Sequence, residues 1–294
     1  MLSRFILTTA LSAAPLPALA CPHYDAAVAA VQGGDTATAK PLYAAIVVSD
    51  ACDAALQEWV GDYLAREAFA ASLASDDPDA RRSALQEALS YETHWRSYKG
   101  LGDLDWAAGD YAAAATQYQL AINELVDGDQ SHEASSDEIA ELHRMAASAL
   151  ALADEVVEMP KTRSGAAGGV FATSIRGFQV EEVPLPITFE YNSTTFDGPG
   201  ESYAAALADH LIAMDPPQVF LGGHTDPIGG EEFNFDLSVA RAEALAGFLA
   251  DRGYAGTVNI VGFGETRLPE PPPGIAPGSD EHYRIARRVS FSVQ

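Results

Sequence analysis

The spacing of apolar residues changes once along this chain, and that change constrains the fold more than any other feature. Residues 22–158 are rich in Ala and carry apolar side chains at helical spacing. From residue 184 onwards, short apolar runs alternate with helical segments, and the Gly-containing stretch 159–183 lies between the two regions. The sequence therefore predicts an α+β protein with a helical domain at 21–158, a linker at 159–183 and a mixed domain at 184–294.

The first region is predicted to form antiparallel helix pairs. Its clearest unit spans residues 98–121, where Gly102 and Ala114 would let two helices approach and aromatic side chains would fill the remaining gaps. This spacing is similar to the tetratricopeptide repeat, a helix-turn-helix unit of about 34 residues. The resemblance implies an all-α helical-hairpin domain that presents a surface for a protein partner. A plain helical bundle, serving as a spacer or a dimer surface, is the alternative.

The second region is predicted to form a small α/β sandwich, with one sheet and helices on one of its faces. The strands are expected at 187–191, 219–223, 258–261 and 288–293, and the helices at 201–214 and 231–252. The segment 268–278 contains many prolines and is predicted to be a surface loop.

One charged residue, Arg241, lies within the apolar stripe of the long predicted helix. A guanidinium that faces a core is costly unless a carboxylate from the protein or a ligand pairs with it. The nearest candidate is Asp226, which follows the second predicted strand, and Asn234 lies on the same helical face two turns earlier. We therefore expect Asp226 and Arg241 to face each other across a pocket, with a purely structural ion pair as the alternative.

A set of short motifs follows in a fixed order along the second region. They are Gly223-His224-Thr225-Asp226, Gly229, Asn234, Leu237-Ser238-x-x-Arg241-Ala242, Gly262-Phe263-Gly264-Glu265 and Arg287-Arg288-Val289. In this order they resemble the OmpA-like C-terminal domain, over about residues 185–294.

The resemblance implies non-covalent binding of peptidoglycan. In that family, the residues that match Asp226 and Arg241 hold the diaminopimelate of the stem peptide, whose free ammonium and carboxylate suit a fixed carboxylate and a guanidinium. The supporting pocket residues would be Thr225, Asn234, Leu237 and Arg287.

The N-terminus predicts export from the cytoplasm. Residues 1–20 contain Arg4, a short apolar stretch and the cleavage-site pattern Ala18-Leu19-Ala20, which is typical of a secretory signal peptide. The chain has two cysteines, Cys21 and Cys52, and an exported chain with one such pair predicts a disulfide. The alternatives are two free thiols or a lipid on Cys21. The expected location is the periplasm, in association with the cell wall or outer membrane.

Charge and composition argue against several functions. A net charge of -25 disfavours binding to nucleic acid and to anionic lipid, and no apolar run in the mature chain is long enough for a membrane helix. The sequence shows no nucleophile or metal-ligand set, so we predict no enzyme activity, no metal and no cofactor. The alternatives to a peptidoglycan-binding protein are a scaffold whose C-terminal domain binds no ligand, and a wall hydrolase that uses His224 and Asp226.

Overall fold

The computed structural model describes residues 21–128, 134–163, 165, 167–172, 174–175, 178–179, 182–190 and 192–293. The predicted signal peptide therefore lies outside the described residues. The chain divides into two compact units, one ending at Thr93 and one beginning at His94. The domain boundaries that we place at 158 and 184 from the sequence remain predictions.

The described part of the first unit is helical. Its helices are α1 (Tyr24–Gln32), α2 (Thr36–Val47), α3 (Ala54–Ala74) and α4 (Pro78–Tyr91). Asp35 caps α2 and Asp53 caps α3, because each carboxylate accepts a hydrogen bond from a backbone N–H in the first turn of its helix. A disulfide joins Cys21 to Cys52 across a Cα–Cα distance of 4.6 Å, so the predicted disulfide is confirmed.

The second unit opens with three helices, α5 (Trp95–Ala107), α6 (Tyr111–Asp127) and α7 (Ser136–Leu152). The close approach of α5 and α6 depends on Gly102, because a Cβ there would lie 2.7 Å from the ring of Tyr118. A capping box formed by Ser135 and Glu138 starts α7. α7 ends at Leu152, and Ala153 adopts an extended conformation.

Hydrogen bonds hold the segment 159–183 against α6. It contains a 3-10 turn (Gly169–Phe171) and the short strands β1 (Ser174–Ile175) and β2 (Phe178–Gln179). The side chain of Asn123 on α6 accepts a hydrogen bond from the Gly169 N–H at 2.8 Å and donates one to the Lys161 carbonyl at 3.0 Å. Phe171 is 1% exposed, so this segment contributes to the core.

The remaining elements form a four-stranded sheet with its helices. The strands are β3 (Val183–Leu185), β4 (Gln218–Gly223), β5 (Thr257–Gly262) and β6 (Val289–Val293), and the helices are α8 (Gly198–Met214), α9 (Glu231–Asp251) and α10 (Asp280–Ala286). The strand order is β3-β6-β4-β5, in which β4 and β5 are parallel and the other pairs antiparallel. This mixture of helix and sheet confirms the predicted α+β fold class.

The first strand of the sheet was predicted in the wrong place. Residues 187–191 were expected to pair, whereas β3 covers Val183–Leu185. The chain turns back after β3, so that Phe189 and Phe196 form an isolated bridge and their rings stack 4.9 Å apart. The Asp197 carboxylate holds this turn by accepting hydrogen bonds from the Thr188 hydroxyl and the Gly200 N–H, both at 2.7 Å.

Helices α5 to α7 share one apolar core with the sheet, to which Tyr118, Leu142, Leu185, Leu221 and Phe291 all contribute. Polar contacts reinforce this packing. Trp106 donates a hydrogen bond from its ring N–H to the Pro273 carbonyl at 2.7 Å, and Arg284 donates one to the Ala153 carbonyl at 2.8 Å. The proline-rich loop 268–278 is therefore held against α5.

Candidate functional site

The site lies where β4 ends and α9 begins. Gly223, the last residue of β4, lies so close to α9 that a Cβ would collide with the backbone carbonyl of Ser238. Beyond it, His224 N–H donates to the Arg288 carbonyl at 3.0 Å and Thr225 N–H donates to the Gly264 carbonyl at 2.9 Å. These contacts place Asp226 at the carboxyl edge of the two parallel strands, which is where α/β sheets commonly bind ligands.

Asp226 forms its direct ion pair with Arg287. Its Oδ2 accepts a hydrogen bond from Arg287 Nη1 at 2.7 Å, and its Oδ1 accepts one from the Ile228 N–H at 2.9 Å. The Asp226 side chain is 12% exposed and that of Arg287 is 40% exposed. Arg287 was predicted only as a supporting residue, and it lies in the short segment between α10 and β6.

Arg241 is buried on α9, as its place in the apolar stripe predicted. It is 4% exposed, its Nε donates to the Ser193 carbonyl at 3.2 Å, and its guanidinium lies 5.1 Å from the centre of the Phe189 ring. No carboxylate of the described residues lies within ion-pair distance of it. Burial lowers the pKa of Arg241, the charge of Arg287 lowers it further, and only Asp226 opposes the change.

Asp226, Arg241 and Arg287 therefore form a cluster with two guanidinium groups and one carboxylate. The ion pair with Arg287 neutralises one positive charge, and the charge of Arg241 is left without a direct counter-ion among the described residues. In a protein with a net charge of -25, this local excess of positive charge is suited to the carboxylate of a ligand.

The other predicted pocket residues have varied surroundings. Asn234 is buried and its amide donates to Glu265 at 2.5 Å, which ties α9 to the loop after β5. Thr225 is 4% exposed, and its buried hydroxyl oxygen has no hydrogen-bond partner within the described part of the chain. Leu237 is half-buried on α9. The structure thus brings Asp226, Arg241 and Arg287 together, whereas Asn234 acts on the neighbouring loop.

Sequence reasoning missed two contacts of Arg241, the carbonyl of Ser193 and the ring of Phe189. The alternation of apolar and polar residues assigned Phe189 to a strand, and no local signal indicated the turn that brings it to α9.

His224 is fully buried and contacts different groups from Asp226. Its Nε2 lies 3.1 Å from the Ser290 hydroxyl and 3.3 Å from the Glu182 carboxylate, and its ring stacks on Phe263. The hydrogen bond from His224 is the main reason that the pKa of Glu182 falls to about 2. Its described contacts therefore fix the segment before β3 to the end of β4.

Two further observations concern the described residues. Within the described ranges, no three His, Cys, Asp or Glu side chains lie close enough together to hold a metal ion. Of the helices that the structure describes, none combines the length and the apolar character needed to cross a membrane.

Comparisons with known proteins match the C-terminal part of the chain. Over 40% of its length, the chain is 30% identical to outer membrane porin F of Pseudomonas fluorescens, and over 36% it is 29% identical to the peptidoglycan-associated lipoprotein of Haemophilus influenzae. The matched part corresponds to 34% of the porin and 72% of the lipoprotein. No family model matches the chain.

Solved structures with similar folds include the peptidoglycan-associated lipoprotein of Burkholderia pseudomallei. The identity is 23%, the TM-score 0.31, and the match covers 36% of this chain and 86% of that one. The cell wall anchor of the Pseudomonas aeruginosa T6SS matches with 27% identity and a TM-score of 0.31, over 38% of this chain and 78% of that one. The sequence matches confirm the resemblance of the C-terminal region to OmpA-like domains.

Proposed function

Because the C-terminal region is similar to OmpA-like and peptidoglycan-associated proteins, we propose that this protein binds peptidoglycan non-covalently in the Gram-negative cell envelope. The observation that carries the proposal is Arg241, a buried guanidinium beside the Asp226–Arg287 ion pair that has no carboxylate partner among the described residues. Such an arrangement costs stability, so it is retained more readily where a ligand completes it.

The ligand group that fits this cluster is the free end of diaminopimelate in the stem peptide. Its carboxylate would accept hydrogen bonds from Arg241, and its ammonium would donate to Asp226, whose two oxygens have acceptor capacity beyond their present partners. The side chain of Arg287 is 40% exposed, so the cluster is accessible to a ligand from solvent at this residue. The carboxylate and the ammonium of this zwitterion would each meet a group of opposite charge in the cluster.

The rest of the proposal concerns the remainder of the chain. The helical region 21–158 would present a surface to a protein partner, and residues 1–20 would direct export to the periplasm. We propose no enzyme activity and no cofactor. The disulfide between Cys21 and Cys52 favours a protein without a lipid on Cys21.

The test is co-sedimentation of the purified protein with isolated sacculi. Asp226→Asn and Arg241→Ala each remove one charge-assisted contact and should weaken binding about 10- to 150-fold. Their effects should not add, since each variant leaves the same ligand half-held. Arg252→Ala is the matched control, because Arg252 caps the C-terminal end of α9, away from Asp226, and its guanidinium lies over the ring of Phe248.

A second arm tests the identity of the ligand. Sacculi with diaminopimelate in their stems should bind more tightly than wall material with lysine, which lacks the second carboxylate. If both variants keep the circular dichroism of the wild type and still sediment with sacculi as well as it does, the cluster is structural and the scaffold function replaces this proposal. Release of muropeptides on incubation would instead indicate a hydrolase.

A further inference from the structure

A cavity of about 510 Å³ lies between α7 and β3, and neither Asp226 nor Arg241 lines it. Its apolar wall includes Ala147, Ala151, Leu185 and Ile285. This volume lies within the usual range for small-molecule sites, and an apolar wall with a few polar groups is their usual composition.

His143 lines this cavity and is 2% exposed, yet neither of its ring nitrogens has a hydrogen-bond partner among the described residues. Buried polar side chains nearly always have a partner, and each exception requires an explanation. A Leu would fill the same place on α7 without that cost, since the neighbouring residues along the cavity are largely apolar.

Two arginines with unused donors line the same cavity. Arg144 pairs with Glu141 through Nε and Nη2, but its Nη1 is buried and has no partner in the ranges that the structure describes. The described hydrogen bonds of Arg288 go to the carbonyls of Ala286, at 3.5 Å, and Arg267, at 3.3 Å, and no carboxylate in the described part of the chain lies within ion-pair distance of it. The cavity therefore presents three donor groups, two of them cationic, that an acceptor with negative charge would satisfy.

Two carboxylates also line the cavity and limit the charge of a ligand. Glu182 is already engaged by His224, Ser290 and Arg267, and Glu270 is exposed. They oppose a ligand with several negative charges, and the net charge of -25 repels anions from the protein in general. A single negative charge matches the donors best.

We propose that this cavity binds an amphiphilic monocarboxylate, such as a short-chain or medium-chain fatty acid. The carboxylate accepts hydrogen bonds from His143, Arg144 and Arg288, and the apolar body lies against Ala147, Leu185 and Ile285. This site is separate from the proposed wall-binding cluster and does not depend on it.

The test is isothermal titration calorimetry of the purified protein with octanoate and with 1-octanol, which has the same chain and no charge. Octanoate should bind with a Kd below about 1 mM and at least about 10-fold more tightly than octanol, because charge-assisted hydrogen bonds separate the two. Equal affinities would overturn the proposal in favour of a plain apolar groove, and so would a failure of octanoate to bind.

Variants locate the site. His143→Leu should weaken octanoate binding about 10-fold or more without lowering the melting temperature, and Arg288→Gln should weaken it as well. His210→Leu is the matched control, since His210 is also buried and its Nε2 also lacks a partner among the described residues, but His210 does not line the cavity. If Arg288→Gln fails to fold, the comparison of His143→Leu with His210→Leu decides the matter. Equal losses in those two variants would overturn the assignment.

Discussion

We expect His143 to make the second unit less stable as the pH falls below neutral. Burial lowers the pKa of His143 from 6.5 to about 4 in the folded protein. Between these values the unfolded chain binds a proton that the folded protein does not, so the free energy of unfolding falls as the pH drops from 6.5 to 4. The difference between the two pKa values corresponds to a total loss of about 3 kcal/mol, since each pH unit contributes about 1.4 kcal/mol.

The substitution His143→Leu removes this contribution. Between pH 7 and pH 5 the variant should lose about 2 kcal/mol less free energy of unfolding than the wild type, because most of the unfolded histidine is protonated by pH 5. At pH 7 the variant should be at least as stable as the wild type, since it no longer buries unpartnered ring nitrogens. Urea denaturation at the two pH values, followed by circular dichroism, measures both quantities.

His210 provides an independent second case, because burial also lowers its pKa to about 4. His210→Leu should reduce the pH dependence by a similar amount, and the double variant by about 4 kcal/mol over the same range. If His143→Leu keeps the full pH dependence of the wild type, His143 is not buried in its neutral form and this reasoning fails.

Two other predictions concern the covalent and steric constraints of the fold. The disulfide closes a loop between residues 31 apart in sequence, so Cys52→Ser should lower the free energy of unfolding of the first unit by about 4 kcal/mol. Hydrogen exchange in α1 to α3 should become faster, and an unchanged exchange rate would contradict the chain-entropy argument. Gly223→Ala should destabilise the second unit by at least about 3 kcal/mol in urea denaturation, since its Cβ meets the backbone of α9. Gly247 lies on the open face of α9, so Gly247→Ala should raise the free energy of unfolding by about 0.5–1 kcal/mol. A decrease in the Gly247→Ala variant would count against the steric explanation.

The regular elements around the site could be predicted from sequence because their periodicity is strong. The long helix was expected at 231–252 and α9 spans Glu231–Asp251, and the strand expected at 219–223 corresponds to β4, Gln218–Gly223. The burial of Arg241 followed from its position among apolar residues on that helix. These properties depend on neighbours within a few turns of the same element, which the sequence displays directly.

Contacts between distant segments could not be predicted in the same way. Asp226 pairs with Arg287, which is 61 residues further along the chain, and pattern reasoning favoured Arg241 because it lies on the next helix. The packing of α7 against β3 and α10 could not be predicted either. An apolar helix face indicates that another element covers it, but not which element. Both contacts depend on tertiary packing, and a single sequence does not show which distant segments pack together.

The position of β6 has a consequence for the order in which the protein is completed. β6 is the last strand along the chain, yet it lies between β3 and β4 in the sheet. A ribosome or a translocation pore delivers the chain from its N-terminus, so β3 and β4 emerge well before the strand that joins them. Arg287 and Arg288 arrive just ahead of β6; Arg287 pairs with Asp226, and Arg288 lines the cavity between α7 and β3. A nascent chain that stops short of residue 287 therefore lacks one arginine of each proposed site, and neither site is complete until synthesis of this last segment is finished.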